Sequence, residues 1–235
     1  MPRPHGLEVW RISLASPGDL TNCLAVLDAD EQARADRFRF PEHRRRFVVA
    51  HAAVRGILAQ RLGVAPGELQ FATNAHGKPF LVPPGAPLFS LSHSHEMALC
   101  AVSGAGELGV DIEWCRELPH AELARRFFAP DEASALAALA EHEQLAGFFA
   151  CWTRKEAYIK AKGLGLSLPL DAFSVSADPQ LAPALLSSRH ESSDVDHYRF
   201  WEIPVAPGYR ATLAYRGSEA VVPSYFDWPS CLAAS

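Results

Sequence analysis

The two halves of the chain correspond weakly to each other, and this correspondence narrows the choice of fold more than any other feature. A shift of 101 residues aligns the following positions without a gap: Val9 with Val110, Asp30 and Glu31 with Asp131 and Glu132, Phe47 with Phe148, and Arg55 with Glu156. The identities are few, so the pattern indicates a duplication without establishing it. A duplicated chain would have a cleft between its halves, which is a common place for a ligand.

Each half carries the pattern of one long helix and several short strands. Apolar spacing predicts long helices over residues 44–62 and 145–162, and Gly63 ends the first of them. Shorter helices are expected over residues 28–38 and 131–140. Short or alternating apolar runs predict strands over residues 8–14, 69–73, 80–82, 88–91, 97–103, 108–114, 173–176, 197–203 and 209–215.

Two carboxylates share one face of the strand that reads Gly-Val-Asp-Ile-Glu-Trp. Side chains alternate along a strand, so Asp111 and Glu113 point the same way, while Ile112 points to the opposite face. Adjacent carboxylates repel unless water, a base or a cation lies between them, and hard cations such as Mg²⁺ prefer oxygen ligands. An isolated Asp-x-Glu is more often the solvated face of an edge strand. The pair alone is therefore weak support for a metal site.

A third carboxylate, Glu156, falls inside the apolar stripe of the second long helix. With Phe148 at 0° and about 100° per residue, Trp152 lies at ~40° and Glu156 at ~80°. A buried carboxylate needs a cationic partner, because an unpaired buried charge is costly or becomes neutral by a pKa shift. A pair between Glu156 and Lys160, four residues apart, would explain the spacing but not the inward placement. The helix therefore favours a functional carboxylate.

Positive charge suited to phosphate is concentrated on the first long helix. Arg44, Arg45, Arg46 and Arg55 lie on it, and guanidinium groups match phosphate oxygens bidentately. An arginine cluster of this kind is also common on a solvated helix face, so both interpretations stay open. Lys78 lies in a Gly-Lys-Pro turn, where glycine permits close approach to the backbone.

These segments resemble the paired motifs of the Sfp-type 4′-phosphopantetheinyl transferases. The two motifs are Gly-Val-Asp-Ile-Glu at residues 109–113 and Trp-Thr-Arg-Lys-Glu-Ala-Tyr-Ile-Lys-Ala-Lys-Gly at residues 152–163. Further agreement lies in Gly-Lys-Pro at 77–79, Phe-Ser-Leu-Ser-His-Ser at 89–94, Gly-Leu-Ser-Leu-Pro-Leu at 165–170 and the arginines near 37 and 44–55. The resemblance runs from about Val9 to Tyr215. The order and separation of these motifs make it specific.

The resemblance implies an α/β (α+β) fold built as a pseudo-dimer. Each half would pack a small, mainly antiparallel sheet on a long helix, with the active site in the cleft between the halves. Residues 1–104 would form the N-terminal half, which contacts the nucleotide and phosphates of coenzyme A. Residues 105–220 would form the C-terminal half, with the metal site and carrier docking, and residues 221–235 a C-terminal tail. The internal duplication favours a monomer.

The activity implied is that of an Mg²⁺-dependent holo-[acyl-carrier-protein] synthase. Such an enzyme moves 4′-phosphopantetheine from coenzyme A to a serine of an apo acyl or peptidyl carrier protein and releases 3′,5′-ADP. Mn²⁺ in place of Mg²⁺ stays open, and so does the pathway served, whether primary or secondary metabolite biosynthesis. Two alternatives remain, an inactive module that binds coenzyme A or the carrier and a metal-dependent phosphohydrolase. The intact carboxylates and lysines argue against the first.

The resemblance also assigns roles to individual residues. Asp111, Glu113 and Glu156 would hold the metal ion, Glu156 or a water it orients would accept the serine proton, and Lys160 would stabilise the departing 3′,5′-ADP. The residues expected to bind coenzyme A are Arg46, Arg55, Lys78, Pro79, Ser92, His93, Asp111, Lys155 and Lys160.

Two further expectations concern the ends of coenzyme A and the carrier. Phe47 stands where some relatives have a small hydroxyl residue that helps to bind the 3′-phosphate, so recognition of that group is left open. The carrier is expected to dock around residues 163–194. Leucines alternate with small residues there, and about half of them should belong to the core instead.

Composition sets outer bounds on these interpretations. With 235 residues, 49% of them hydrophobic, the chain can bury a substantial core. A net charge of −5 argues against general nucleic-acid binding. The five cysteines are scattered and form no Cys-x-x-Cys, which is typical of a protein of the reducing cytoplasm. No signal sequence or membrane-spanning run is apparent, so a soluble cytoplasmic protein is expected.

Overall fold

The computed structural model describes residues 6–15, 20–217 and 221–229. The helices in these ranges are α1 (Thr21–Ala25), α2 (Ala29–Asp36), α3 (Pro41–Leu62), α4 (His120–Phe127), α5 (Pro130–Ala138), α6 (Glu141–Lys162) and α7 (Asp194–His197). The strands are β1 (Glu8–Ser13), β2 (Phe71–Thr73), β3 (Pro79–Leu81), β4 (Leu88–Ser94), β5 (Met97–Ser103), β6 (Glu107–Trp114), β7 (Phe173–Val175), β8 (Leu185–Ser188), β9 (Tyr198–Glu202), β10 (Tyr209–Arg216) and β11 (Ser224–Trp228).

The strands form one principal sheet in each half. The first has the order β11-β1-β5-β4 and the second β6-β10-β9, while β2-β3 and β7-β8 are separate hairpins. Their neighbouring strands are antiparallel except for β1 and β11, which run parallel. One apolar cluster joins α3 to the first sheet, and another joins α6 to the strands of the second half. The expected mixed α/β fold of two similar halves is confirmed.

The two long helices have the same length and the same kind of C-terminus. Both contain 22 residues, and each ends at a glycine in the left-handed region, Gly63 with φ 70° and Gly163 with φ 68°. A side chain at either position would strain the backbone, so glycine sets where the helix stops. Although both helices are long, no helix in the described ranges is apolar enough to cross a membrane.

The helix register corrects the alignment of the two halves by one residue. The third residues of α2 and α5, Glu31 and Glu132, are still 101 positions apart, and both accept a backbone N–H at the start of their own helix. The glycines that end α3 and α6 are only 100 positions apart. One residue is therefore missing ahead of α6. Arg55 corresponds to Lys155, and its sequence alignment with Glu156 is wrong.

Arg55 serves as an internal clamp in the first half. Its side chain is fully buried, and its Nε donates to Glu31 Oε2 at 2.6 Å. Its Nη1 donates to the Leu69 carbonyl at 3.0 Å, and the guanidinium lies 5.0 Å from the centroid of the Phe71 ring. The clamp ties α3 to the capping glutamate of α2 and to the segment leading into the β2-β3 hairpin.

Lys155 makes the equivalent clamp in the second half. It is also fully buried, and its Nζ donates to Glu132 Oε1 at 2.6 Å and to the Phe173 carbonyl at 2.7 Å. The ammonium lies 4.2 Å from the Phe173 ring centroid. The repetition of glutamate, buried cation, carbonyl and phenylalanine explains why both halves keep a basic residue inside a long helix. Neither cation points into the cleft.

The two sheets meet along β4 and β6 through side-chain hydroxyls. Three serines of β4 accept bonds from three backbone N–H groups of β6: Ser90 from Val110 at 3.1 Å, Ser92 from Ile112 at 3.4 Å and Ser94 from Trp114 at 3.0 Å. Because the serines alternate along β4, they share one face and meet alternate residues of β6. This seam joins the halves and leads directly to the carboxylates of β6.

Several segments differ from the sequence-based expectation, and the short elements α1, α7 and β8 were not predicted. The helix α4 was not predicted, because its eight residues carry only a short apolar pattern. Residues 221–235 were expected to be a tail, but within the described part, 221–229, the strand β11 pairs with β1 in the first sheet. The end of the chain thus returns to the N-terminal half. The predicted boundary near residue 104 falls in the turn between β5 and β6.

Candidate active site

A cavity of about 810 Å³ lies between the two halves. Its polar wall includes Lys78, from the turn between β2 and β3, and Glu156 and Lys160 from α6. Its apolar wall includes Trp152 of α6 and Leu166, from the segment after that helix. The expected cleft between the halves therefore exists, and both halves line it.

A glycine in β6 brings α6 against the strand. A Cβ at Gly109 would lie 2.0 Å from the Ala157 carbonyl oxygen and 2.3 Å from the Ala161 nitrogen, so only glycine fits there. Glu156 and Lys160 precede these two alanines and are four residues apart, so they share a face of the helix. The close approach at Gly109 thus positions both side chains beside the carboxylates of β6.

Asp111 is the buried anchor of the site. Only 3% of its surface is exposed. Its Oδ1 accepts from Ser92 Oγ at 2.8 Å and from Lys160 Nζ at 2.6 Å. Its Oδ2 is buried and has no hydrogen-bond partner in the described part of the protein. A buried carboxylate oxygen without a partner is costly, so this atom is suited to a cation that comes from outside the chain.

Glu113 continues the same face of β6 at the edge of the site. Its Oε2 accepts from Ser94 Oγ at 2.8 Å. Burial raises the pKa of Glu113 above its usual value, repulsion from Asp111 raises it further, and the bond from Ser94 partly offsets both. A positive charge near Glu113 would therefore stabilise its ionised carboxylate.

Glu156 faces these two carboxylates from α6. It is half-buried and lines the cleft. Burial raises its pKa, as does the negative charge of Asp111 and of Glu113, whereas Lys160 lowers it. Because these interactions depend on proximity, the inward placement predicted from the helical stripe agrees with the structure. Glu156 does not point into bulk solvent.

The charges of this cluster do not balance within the described part of the protein. Three carboxylates, Asp111, Glu113 and Glu156, share the ammonium of Lys160, and the charge of Arg116 also acts on Glu113. In the described ranges no three His, Cys, Asp or Glu side chains already form a metal-ligand group. Asp111 and Glu113 accept bonds from Lys160 and Ser94 instead. An oxygen-rich donor set with excess negative charge and a buried unpaired oxygen nevertheless fits a hard divalent cation.

Ser92 and Lys160 form the floor of the cluster. Lys160 Nζ donates to Ser92 Oγ at 2.9 Å as well as to Asp111. Ser92 is buried and donates to Asp111, so it orients the carboxylate. Lys160 keeps 30% of its side chain exposed and lines the cleft, where it can reach an incoming anion.

Positive charge from both halves acts on His93, the residue after Ser92 in β4. Its pKa is lowered by partial burial and then by the charges of Lys160, His51, Arg46 and Arg34. The neutral imidazole is therefore favoured near pH 7, surrounded by cations. Such a concentration of positive charge suits a substrate with several phosphate groups.

Lys78 and Pro79 form the wall of the cavity on the side of the first half. Lys78 Nζ donates to the Leu108 carbonyl at 2.9 Å and to the Ala161 carbonyl at 3.2 Å. Burial lowers the pKa of Lys78 to about 8. The side chain thus ties the β2-β3 turn to the end of α6 and to β6, in addition to any contact with a ligand.

Two residues expected at the site are not there. Arg55 and Lys155 are fully buried, and both are committed to the internal clamps of their halves. The expectation that they bind coenzyme A is corrected, because neither cation can reach the cleft without breaking a buried ion pair. Arg46 lies near His93, but its guanidinium is bonded to Glu96 at 2.6 Å.

Sequence reasoning missed other residues of the site. Ser94, which orients Glu113, entered only as the last residue of the Phe-Ser-Leu-Ser-His-Ser segment. Glu96, which pairs with Arg46, and Phe127, which lines the apolar wall, were not identified. The alternation of three serines along β4 is a signal that could have found Ser94. No pattern in the sequence singles out Glu96, since its partners are about fifty residues away.

The first half has no copy of this site. At the helical offset of 100, Glu156 corresponds to Gly56 and Lys160 to Gln60, neither of which carries charge. A cavity of about 460 Å³ at the equivalent place is lined by these two residues and by Trp10 and Trp228. Tryptophan in β1 and in β11 therefore occupies a region that is charged in the second half. The chemistry is confined to one cleft.

Both halves match models of one protein family. Residues 107–214 match the model described as the 4′-phosphopantetheinyl transferase superfamily, and residues 10–107 match the model described as 4′-phosphopantetheinyl transferase, N-terminal. The two matches meet at residue 107, where β6 begins. Together they span the whole of the site.

Similar proteins carry the same description. The 4′-phosphopantetheinyl transferase HetI of Nostoc sp. is 41% identical over 202 residues, which cover 78% of this chain and 85% of that protein. A putative 4′-phosphopantetheinyl transferase of Synechocystis sp. is 36% identical over 208 residues, 87% of this chain and 81% of that protein. The 4′-phosphopantetheinyl transferase Sfp of Bacillus subtilis is 31% identical over 192 residues, 81% of this chain and 82% of that protein.

Proposed function

The chain belongs to the 4′-phosphopantetheinyl transferase superfamily, and we propose that its cleft transfers the 4′-phosphopantetheine group of coenzyme A to a serine of an apo carrier protein. The products are the holo carrier and 3′,5′-ADP. The observation that carries this assignment is the cluster of Asp111, Glu113 and Glu156 around Lys160, in a chain related to these enzymes over both halves.

A divalent cation, Mg²⁺ or Mn²⁺, would be held by Asp111, Glu113 and Glu156. Support comes from the unpaired, buried Oδ2 of Asp111 and from the raised pKa values of the two glutamates. The cation would neutralise charge on the diphosphate of coenzyme A when it is bound. Ser92 and Ser94 keep the strand carboxylates oriented, as residues behind metal ligands commonly do.

The phosphates of coenzyme A would lie beside the basic residues Lys160, His93 and Arg46. Lys160 reaches the diphosphate next to the carboxylates, and His93 follows at the edge of the first half. Arg46 lies beyond His93 and is suited to the 3′-phosphate. Lys78 and Pro79 line the cavity and would contact the adenosine part.

The reaction forms one phosphorus–oxygen bond and breaks another. The hydroxyl of the carrier serine attacks the β-phosphorus of coenzyme A, and the bond from that phosphorus to the bridging oxygen breaks. Glu156, or a water that it orients, accepts the serine proton, and a raised pKa makes it a stronger base. Lys160 stabilises the negative charge that develops on the departing 3′,5′-ADP. Positioning and charge neutralisation supply most of the acceleration in such transfers.

The carrier would dock at the apolar mouth of the cleft, on the second half around residues 163–194. Leu166 is fully exposed there, while Leu168 is 3% exposed and belongs to the core. Phe127 of α4 lies on the same mouth and is 38% exposed, next to the exposed Arg125 and Arg126. An exposed apolar surface beside two arginines suits the acidic, amphipathic helix of a carrier protein.

The test of the activity is the mass gained by a panel of apo carrier proteins incubated with coenzyme A and Mg²⁺. We expect a phosphopantetheine adduct on the serine with the wild type and none with Glu156→Gln. Glu141→Gln is the matched control, because it changes an exposed glutamate at the far end of the same helix. Transfer by Glu156→Gln at the wild-type rate would contradict the role of Glu156. No adduct on any carrier would contradict the proposed activity.

The docking surface is tested by Leu166→Asp. The variant should raise the KM for the carrier about tenfold or more, because it places charge in an apolar contact. It should change the KM for coenzyme A less, because the Leu166 side chain, although it lines the cavity, is fully exposed. Val222→Asp, at a position that is 79% exposed and outside the cleft, is the control. An unchanged KM for the carrier in Leu166→Asp would place the docking surface elsewhere.

A further inference from the structure

Two arginines of α3 are bound to a single carboxylate in the turn between β4 and β5. Arg46 donates to Glu96 Oε1 from Nε at 3.1 Å and from Nη2 at 2.6 Å. Arg45 Nη2 donates to both carboxylate oxygens of Glu96, at 2.9 and 3.0 Å. All three side chains are between 18% and 26% exposed, so the cluster is neither free in solvent nor sealed.

Glu96 cannot satisfy both guanidinium groups. One carboxylate faces two positive charges, which leaves one charge uncompensated within the cluster. Arg45 Nε is buried and has no hydrogen-bond partner in the described part of the chain. A guanidinium presents five N–H donors, and a phosphate offers more acceptors and more charge than a carboxylate does. The pair of arginines is therefore better matched to a phosphate than to Glu96 alone.

Two backbone hydrogen bonds fix Glu96 in the turn between β4 and β5, and this keeps its carboxylate next to the two arginines. Its N–H donates to the Tyr209 hydroxyl at 3.1 Å, and its carbonyl accepts from the Leu14 N–H at 2.8 Å. The preceding residue, His95, has φ 50°, the single positive φ of a non-glycine residue in the described ranges. A residue with a side chain adopts this conformation at a cost, which the surroundings must offset.

The cluster lies close to the carboxylates of the site along the chain, because Ser94, two residues before Glu96, donates to Glu113. His93, two residues before the turn, is subject to the charges of both Arg46 and Lys160. A substrate that carries phosphate at Lys160 and extends past His93 would bring its next phosphate to the arginine pair. In coenzyme A, the group remote from the diphosphate is the 3′-phosphate.

We infer that Glu96 is a resident counter-anion that competes with the 3′-phosphate of coenzyme A for Arg45 and Arg46. This inference rests on the proposed function. Glu96 orients the guanidinium groups before the substrate arrives and yields donors to it on binding. Its negative charge also lowers the affinity of the site for weaker anions. Glu96 is thus a specificity-determining residue for the phosphorylated ribose, and its presence costs affinity for coenzyme A.

The test compares binding of coenzyme A with binding of dephospho-coenzyme A, which lacks the 3′-phosphate, by titration calorimetry. Glu96→Gln keeps the shape and removes the charge. It should tighten the binding of coenzyme A about threefold to tenfold, the range for removing one competing charge from two partly exposed ion pairs. The affinity for dephospho-coenzyme A should change less than about twofold. Asp36→Asn is the matched control, because Asp36 pairs at 3.0 Å with the neighbouring Arg44.

Arg46→Gln provides a second variant in the opposite direction. It should weaken the binding of coenzyme A and leave the binding of dephospho-coenzyme A nearly unchanged. It therefore tests the placement of the phosphate if Glu96→Gln folds poorly. Weaker or unchanged binding of coenzyme A by Glu96→Gln would overturn the inference. So would an equal change for both ligands, or the same gain in Asp36→Asn.

The outcomes also separate this inference from the proposed activity. Transfer to a carrier without the expected effect of Glu96→Gln contradicts only the competition at the arginine pair. The expected binding changes without transfer to any carrier contradict only the activity. Failure of the wild type to bind coenzyme A contradicts both.

Discussion

Gly109 is the position where a single added methyl group should do most damage to the site. A Cβ there would lie 2.0 Å from the Ala157 carbonyl oxygen, whereas ordinary contact begins near 3.4 Å. In Gly109→Ala the strand β6 and the helix α6 must therefore separate by about 1.4 Å, the difference between these two distances. The two closest contacts, with the Ala157 carbonyl oxygen and the Ala161 nitrogen, involve backbone atoms of α6, so no side-chain rotation can relieve them.

This separation should act on both stability and rate. Overpacking of this kind costs about 1–3 kcal/mol, which lowers the Tm by about 2–4 °C per kcal/mol in a chain of this size. It also moves Glu156 and Lys160 away from Asp111, and a misplacement of about 1 Å can cost on the order of 100-fold in rate. We expect kcat/KM to fall about 100-fold at a temperature where the variant is still folded.

The assay is carrier modification followed by mass spectrometry, together with thermal unfolding of the same preparations. Gly67→Ala is the matched control, since a Cβ at Gly67 would meet nothing within 4 Å and its φ is not positive. A Gly109→Ala protein with the Tm and kcat/KM of the wild type would refute the account of how α6 is positioned.

Three more predictions follow from individual contacts. Lys155→Met leaves Glu132 buried without its cation, so it should lower the unfolding free energy measured in denaturant titrations by about 3–5 kcal/mol. The Kd for coenzyme A should not change, and a large change in it would show that Lys155 contacts the ligand. Ser94→Ala removes the donor to Glu113 and should weaken the binding of Mg²⁺ about 10- to 100-fold. Ser90→Ala, which removes no bond to a carboxylate, should leave Mg²⁺ binding unchanged, and equal effects of the two variants would contradict the role of Ser94. Lys78 has a pKa of about 8 in the folded protein and 10.5 as its ordinary value, so the unfolded chain binds more protons between these pH values. The unfolding free energy of the wild type should therefore rise relative to that of Lys78→Met between pH 8 and pH 10, and a constant difference would contradict the burial of its charge.

The parts of the fold and site that could be predicted are those that local patterns determine. Helical periodicity placed Glu156 inward, and strand alternation placed Asp111 and Glu113 on one face, because both depend only on the geometry of one element. The two long helices and their terminal glycine signal follow from the same local rules. Resemblance to the family then related the two segments to one cleft.

The parts that could not be predicted depend on contacts between distant residues. Arg55 and Lys155 carry the charge of ligand-binding residues, and only the position of Glu31 and Glu132 in the fold shows that they are internal clamps. The one-residue change of offset lies in a loop, where no periodic pattern exists to reveal it. The strand β11 gains its partner, β1, from the opposite end of the chain.

Glu96 illustrates the same limit at the site. In the sequence it is an ordinary charged residue of a turn, and its importance comes from Arg45 and Arg46, which lie about fifty positions earlier. Charged pairs of this separation have no signature in a single sequence. Only the packing of α3 beside the turn between β4 and β5 brings these charges together.

The most direct measurement is the binding of Mn²⁺ followed by electron paramagnetic resonance in the presence of coenzyme A. The wild type and Glu141→Gln should each bind one Mn²⁺ per chain, and Asp111→Asn and Glu156→Gln should each lose that site while keeping the Tm of a folded protein. Wild-type affinity for Mn²⁺ in Glu156→Gln would contradict the convergence of β6 and α6 on a single cation.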